Sequence, residues 1–414
     1  MYASVYIAKN TLAMIMAGGK GERLQPITAN KPKPAVPFGG KYKIIDFVLS
    51  NVFNSGIRKI YVLTQYQAYS LNKHIKASWS KWTGLNEFFD TLSPETRTTG
   101  EQWYLGTADA IYQNIQLLES SSAELIAIFG GDHIYKMDIS QMLIYHKMNK
   151  ADITIASIEV SKEEAKRFGI LSVDEDFKVK TFVEKPQTPP NIPGRDTCFA
   201  SMGNYIFSKK VLIEMLKEGK KYYYDLDFGK HIIPMMIEQD KRVFAYNFFD
   251  NTVPSMTPQE RGYWMDVGTI DSYYEANMDL ISVNPRLNLY NYDWPILTNQ
   301  GNLPPAKTVF DNESRRGVNL DSLVCGGCIT SGGTVRRSIL GPSSRVNSYC
   351  LIEDSIVFEN VEIGRHCKIK RTIIDDHVII PEGTVIGYDL QEDKKRGFTV
   401  TDSGIVVVTR ENFR

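Results

Sequence analysis

The chain is 414 residues long, more than one ordinary core holds, so two domains, or one large and one small, are expected. Hydrophobic residues at 43% and aromatics at 11% are ample for burial and exclude a disordered chain. A formal net charge of zero argues against broad attraction to nucleic acid or membrane and for local basic clusters.

The residues ahead of the first strand lack the charged-then-apolar pattern of a signal peptide, and no apolar run reaches the ~18 residues of a membrane span. The first strand, Leu12–Ala17, runs into Gly18-Gly19-Lys20-Gly21-Glu22-Arg23-Leu24. Bare backbone there lets N–H groups close on phosphate oxygens, and Lys20, Arg23 and Lys33 bring positive charge. The spacing is neither the dinucleotide fingerprint, which needs glycine at Leu24, nor a P-loop. A plain strand-to-helix turn is the alternative.

Further along, Lys59–Leu63, Glu124–Phe129 and Asp152–Ala156 read as buried strands, and Ala108–Leu118 and Ile139–Met148 carry apolar residues at helical spacing. The alternation predicts an α/β domain with a mostly parallel sheet covered by helices over residues 1–287, ligands lying at the carboxyl ends of its strands. Trp103-Tyr104-Leu105-Gly106-Thr107 opens a helix; Gly106 gives backbone access, Thr107 can cap, and the aromatics could stack on a base or simply fill a core.

Gly130-Gly131-Asp132-His133 follows a buried run, which places Asp132 to hold a cation against phosphates. Asp266, in Trp264-Met265-Asp266-Val267-Gly268-Thr269, is a second candidate, and a turn or N-cap is the ordinary reading of each acid taken alone. His133 reads as structural. In Phe182-Val183-Glu184-Lys185-Pro186, Glu184 and Lys185 alternate across a strand end, one to accept sugar hydroxyls and the other to meet a phosphate; an ordinary surface charge pair is the alternative. Ser201 and Gly203 stand nearby in sequence.

Residues 288–317 read as a linker, with Asn and Pro but no periodicity over Tyr290–Pro305. From 318 to 414 apolar residues recur near every sixth position: Ile329, Val335, Leu340, Val346, Ile352, Val357, Ile363 and Ile369, then less regularly Val378, Ile380, Val385 and Ile386. That period predicts a parallel β-helix, with an antiparallel sandwich as the alternative. Five cysteines, an odd number mostly within apolar segments, suit a reducing compartment, so a cytoplasmic location is expected. Cys325-Gly-Gly-Cys328 has metal-like spacing but no second pair, which argues against zinc.

Together these motifs, with Lys33-Pro-Ala-Val-Pro-Phe-Gly-Gly40, Ile44-Ile-Asp-Phe47, Thr64-Gln-Tyr-Gln67, Ile379-Ile-Pro-Glu-Gly383 and Gly404–Arg410, make the chain resemble the ADP-glucose pyrophosphorylases (glucose-1-phosphate adenylyltransferases) over essentially its whole length. The resemblance implies a Rossmann-like nucleotidyltransferase domain followed by a C-terminal left-handed parallel β-helix, in a homotetramer. It implies conversion of ATP and glucose 1-phosphate to ADP-glucose and pyrophosphate, the committed step of bacterial glycogen synthesis. Mg²⁺ is the implied cofactor, with Asp132 and Asp266 as its ligands. By position Asp132, Arg23 and Lys33 match catalytic residues, the last two facing the ATP phosphates, and Gly18, Gly19, Gly21, Gln65, Gly106 and Thr107 match the nucleotide site.

Tyr104, Gly169, Glu184, Lys185 and Ser201 match the glucose 1-phosphate site, and Gln65 and Trp103 match positions that link nucleotide and effector sites. Cations at effector positions are Lys31, Lys43, Arg371 and Arg396, which points to an anionic allosteric effector. Asn30 stands where the family commonly has an activator-binding lysine, so the resemblance does not extend to fructose bisphosphate; Leu105 replaces a residue that is often polar or basic. A non-catalytic regulatory subunit, or the same chemistry with UTP or dTTP, is the alternative. The retained Asp132, Asp266, Lys33 and Lys185 argue against the first.

Overall fold

The computed structural model describes residues 2–80, 84, 87–94, 96–97, 100–101, 103–299, 301–312 and 314–413. A nine-stranded sheet organises the first two-thirds of the chain: β1 Thr11–Ala17, β2 Lys59–Thr64, β3 Phe88–Leu92, β4 Leu125–Gly130, β5 Ile153–Val160, β6 Gly169–Val173, β7 Val179–Glu184, β8 Cys198–Ser208 and β9 Val243–Asn247. β1 is apolar on both faces and almost wholly buried, as a central strand covered by helices must be. It pairs in parallel with β2 on one side and β4 on the other, so the carboxyl ends of all three share one edge. From β1 the chain runs outward to β2 and β3 and then returns to β4 on the other side of β1, and such a reversal of strand order opens a crevice for a ligand.

The sheet is less parallel than expected. β8 runs antiparallel to β4, β5 and β6, and β6 runs antiparallel to β7. The helix expected over Ala108–Leu118 is two, Thr107–Gln113 and Ile115–Ser120. Asn114 separates them by turning its side-chain amide back onto the Ala110 carbonyl (2.9 Å), a local bond that competes with the helical ladder.

The C-terminal part is a parallel β-helix with three ladders of short strands. Val335, Ile352, Ile369 and Ile386 stack in register, as do Leu340, Val357 and Ile374. All of these are buried, whereas Val385 points outward. A hydroxyl ladder threads the coils: Ser355 N–H donates to Ser338 Oγ, and Thr372 N–H to Ser355 Oγ, each across 17 residues. Strand Lys307–Val309, inside the stretch expected as linker, pairs with Ile329–Ser331 and so is built into a β-helix ladder.

The two parts share one core. Phe38, Phe47, Ile270 and Tyr273 of the first cluster with Ile339, Ile356, Phe358, Ile373 and Val407 of the second. Tyr274 O–H donates to the Asp354 carbonyl (2.6 Å), and Lys31 is hydrogen-bonded to Asp375 and Asp376 across the junction. Among the described residues no helix is long and apolar enough to cross a membrane.

Candidate active site

A cavity of about 810 Å³ opens at the carboxyl ends of β1, β2 and β4. Gly18 to Arg23 form one wall and Tyr104 to Thr107 another, with Lys33, Gln65, Asp132 and His133 between them. The glycine loop is held by its own geometry. Gly21 has φ +66, where a side chain is strained, and a Cβ there would stand 3.0 Å from Lys33 Cβ. Gly106 meets the opposite need: a Cβ would lie 2.4 Å from the Leu226 carbonyl oxygen, so only glycine lets these backbones touch. Thr107 O–H then donates to Asp227 Oδ2 (2.8 Å), fixing both residues at the cavity rim.

The two acids converge. Asp132 follows β4, and Asp266 ends Trp264–Asp266, a strand paired antiparallel with His133–Tyr135 so that Asp266 faces His133. Lys33 Nζ donates to Asp132 Oδ2 (3.1 Å) and Asp266 Oδ1 (2.7 Å), and an Arg23 guanidinium nitrogen stands 3.5 Å from Asp266 Oδ2. Burial opposes charge on Lys33, yet the two carboxylates outweigh it and hold the ammonium above its ordinary range. Burial likewise opposes ionisation of Asp132, but His133, once protonated in acid, and Lys33 bring it down to about 2. Burial lowers His133 itself, so near neutrality the imidazole is uncharged and Lys33 is the cation that matters.

These are hard oxygen donors, suited to a divalent cation. Among the described residues no group of three or more acids, histidines or cysteines is arranged to hold a metal ion, so substrate phosphates would have to complete the shell around an ion held by Asp132 and Asp266. Mg²⁺ sites built on one or two carboxylates and substrate phosphates have that character.

The predicted sugar-phosphate residues form a neighbouring patch. Gly169 pairs with Glu184 in the β6–β7 ladder, and Lys185 Nζ lies 3.6 Å from Glu184 Oε1. The expected alternation stops at Glu184. Lys185 leaves the strand with φ +49, its N–H tied to the Phe168 carbonyl (2.9 Å) ahead of Pro186, so it is aimed by a turn rather than by a pleat. Ser201 Oγ accepts from Gly203 N–H (3.2 Å), and Gly203 and Tyr205 reach the main cavity. An aromatic run of Phe168, Trp264 and His133, with ring centroids 5.5 and 4.9 Å apart in turn, joins this patch to Asp132.

Gln65 Oε1 accepts from Tyr104 N–H (3.0 Å), which ties β2 to the loop that carries the exposed Trp103. The effector candidates are not one cluster. Lys31 and Lys43 lie at the domain junction among Asp375, Asp376 and Glu359. Arg371 lies over the Tyr274 ring, 5.4 Å from its centroid. Arg396 is paired with Asp393 and lines a second cavity of about 440 Å³ beside Glu382 and Glu392, in which neither Lys31 nor Lys43 takes part. Cys325 and Cys328 belong to the coils, where Cys328 Sγ lies 3.1 Å from the Gly341 carbonyl oxygen.

Sequence reasoning did not assign Asp227, Tyr205 or Gly268. Gly268 alone carried a signal, the glycine two residues after Asp266. Its Cβ would fall 2.8 Å from both Arg23 and Asp266, so bare backbone there lets the guanidinium reach the acid.

A Rossmann-like sheet with a glycine cradle and paired acids at its switch point defines a nucleotidyl transferase, and the sequence profile of the family of that description matches residues 12–283. A second profile, the GlmU-like C-terminal hexapeptide, matches residues 304–408, the repeat of a left-handed β-helix. Glucose-1-phosphate adenylyltransferase of Geobacter metallireducens is 67% identical over 409 residues, covering 99% of each chain. The enzyme of that name from Trichlorobacter lovleyi is 66% identical over 412 residues and the full length of both, and that from Deinococcus radiodurans is 48% identical over 409 residues, 96% of this chain and 98% of its own. The chain belongs to the glucose-1-phosphate adenylyltransferase family.

Proposed function

We propose that the protein transfers the adenylyl group of ATP to α-D-glucose 1-phosphate, giving ADP-glucose and pyrophosphate. The observation that carries this reading is the meeting of Asp132 and Asp266 on Lys33, beside a glycine loop, where Lys33 and Asp132 line the main cavity. Full-length similarity to enzymes named for that reaction supports the choice of substrates.

A phosphate oxygen of glucose 1-phosphate attacks the α-phosphorus of ATP in line. The new P–O bond forms as the bond from that phosphorus to the bridging oxygen of pyrophosphate breaks. Both substrates are polyanions, and two unit charges ~4 Å apart at an effective dielectric near 20 repel by about 4 kcal/mol. Lys33 and Arg23 oppose that repulsion at the triphosphate, and Lys185 opposes it at the sugar phosphate. Glu184 accepts from sugar hydroxyls, and the Gly18–Gly21 backbone holds the triphosphate in line, which is most of what such a transfer asks of a protein. A divalent ion on Asp132 and Asp266, proposed as Mg²⁺, supplies charge neutralisation at the α-phosphate and the leaving group.

Pyrophosphate release from ATP, UTP and dTTP, each with glucose 1-phosphate and Mg²⁺, tests the reading. ATP is the expected substrate; no release from ATP, or faster release from UTP, overturns it. Five free cysteines support a reducing compartment such as the cytoplasm. The family resemblance supports a homotetramer, which sedimentation equilibrium measures, and an anionic effector. An anion reaching Lys31 or Lys43 would compete with Asp375, Asp376 and Glu359.

A further inference from the structure

We infer that Lys33 is a resident counter-cation of the carboxylate pair: its ammonium holds the position between Asp132 and Asp266 that the divalent ion takes, and yields it only when a triphosphate arrives to receive the lysine. The inference rests on the proposed reading of the two acids as metal ligands. It adds an order of events to that reading.

The geometry makes the exchange competitive. Lys33 Nζ uses one oxygen of each acid, at 3.1 and 2.7 Å, and its side chain is 6% exposed. The backbone of each acid is held in place. Asp266 is registered opposite His133 in the short antiparallel pair, and Asp132 directly precedes that pair. The lysine backbone is equally fixed, in a 3-10 turn with Pro32 before it and Pro34 within it, closed by Ala35 N–H to the Pro32 carbonyl (2.9 Å). Its Cβ packs against Gly21. What is left to move is the end of a four-carbon stem, and the Gly18–Arg23 loop lines the cavity it would move into.

The charges set the order. Asp132 and Asp266 are balanced by Lys33 and, more loosely, by Arg23 at 3.5 Å. A divalent ion entering alone would face two cations across a short gap. Entering with a triphosphate, it brings the anion on which the displaced ammonium settles. Metal and nucleotide therefore bind with positive coupling beyond what direct ligation by the phosphates gives, and that excess passes through Lys33; by linkage each ligand tightens the other by the same factor.

Mn²⁺ is the probe, its free concentration read by electron paramagnetic resonance against the full-length protein, with and without α,β-methylene-ATP and corrected for Mn²⁺ bound to nucleotide alone. In wild type the analogue should tighten Mn²⁺ by about tenfold or more. Lys33→Met should bind Mn²⁺ about tenfold tighter than wild type without nucleotide, and the analogue should tighten it by a markedly smaller factor than in wild type, the part that direct ligation by phosphates supplies. Lys33→Arg, which keeps the charge, should bind like wild type in the absence of nucleotide.

Equal Mn²⁺ affinity in wild type with and without the analogue overturns the inference whether or not a variant folds. So does Lys33→Met binding no tighter than wild type while Asp132→Asn abolishes Mn²⁺ binding in the ternary complex; that result leaves the metal reading standing. Should Asp132→Asn bind Mn²⁺ as well as wild type in the ternary complex, the metal reading fails and the inference with it.

Discussion

Replacing Lys31 by methionine tests what holds the two domains in register. The Lys31 ammonium lies 2.8 Å from Asp375 Oδ1, bonds Asp376 as well, and stands 5.5 Å from the centre of the Phe358 ring. Side-chain exposures of 11%, 12% and 21% for Lys31, Asp375 and Asp376 put the triad largely out of water. Burial pushes the Asp375 carboxyl up to about 6, with Lys31 pulling it down and Asp376 pushing it further up. Without Lys31, Asp376 keeps Arg410 at 2.9 Å, but Asp375 faces its neighbour's charge without its lysine. Two unit charges ~4 Å apart at an effective dielectric near 20 repel by about 4 kcal/mol. A buried pair stripped of one partner loses about 3–5 kcal/mol, the same size.

The sign with pH follows from Asp375. Its folded value lies above the unfolded one, so its contribution is fully present below the unfolded value and fades as pH rises through about 6. Losing Lys31 lifts the folded value further. The penalty of Lys31→Met should therefore be largest near pH 8, at about 3–5 kcal/mol, and shrink toward pH 5 as the carboxyl takes up a proton. Urea unfolding at pH 5, 6, 7 and 8, followed by tryptophan fluorescence, measures it, and adding Asp376→Asn should recover most of the loss. A penalty that is the same at pH 5 and pH 8, or under about 1 kcal/mol throughout, would refute the reasoning.

Three further outcomes follow from the catalytic domain. Asp132→Asn should cut pyrophosphate release at least about a hundredfold while the protein still folds, as circular dichroism would show; near-normal turnover removes the acid from the chemistry. Lys185→Ala should chiefly raise the KM for glucose 1-phosphate and spare that for ATP, and an unchanged KM withdraws the assignment. Gly106→Ala drives a methyl to within 2.4 Å of the Leu226 oxygen. It should destabilise the fold by about 1–3 kcal/mol and raise the KM for ATP, and wild-type values for both would contradict the close approach.

What the sequence made legible is what local patterning encodes. A buried strand ending in glycines marked the cradle, and hexads marked the coils, because each is written in consecutive residues. Asp132 and Asp266 were nameable as acids after apolar runs, but their meeting depends on the antiparallel pairing of Trp264–Asp266 with His133–Tyr135, which no local pattern announces. The antiparallel partners of β8 escaped for the same reason: a strand buried on both faces looks alike in either direction. Asn114 was hidden inside a helical apolar period that its own amide interrupts. The turn at Lys185 was obscured by a residue that rarely takes positive φ. Lys31 was visible as a cation, whereas Asp375 and Asp376, its counter-ions, lie more than 340 positions away along the chain.

The continuous core that joins Phe38 and Tyr273 to Ile356, Phe358 and Ile373 bears on how such a gene can be cut and recombined. Dividing the chain after residue 287 would bare a broad oily face on each fragment. Two halves made from separate transcripts should therefore either precipitate singly or find each other and reassemble in trans. A chimera that exchanges only the coils has to carry across the matching aromatic seam, or it will be a graft with no bed to take in.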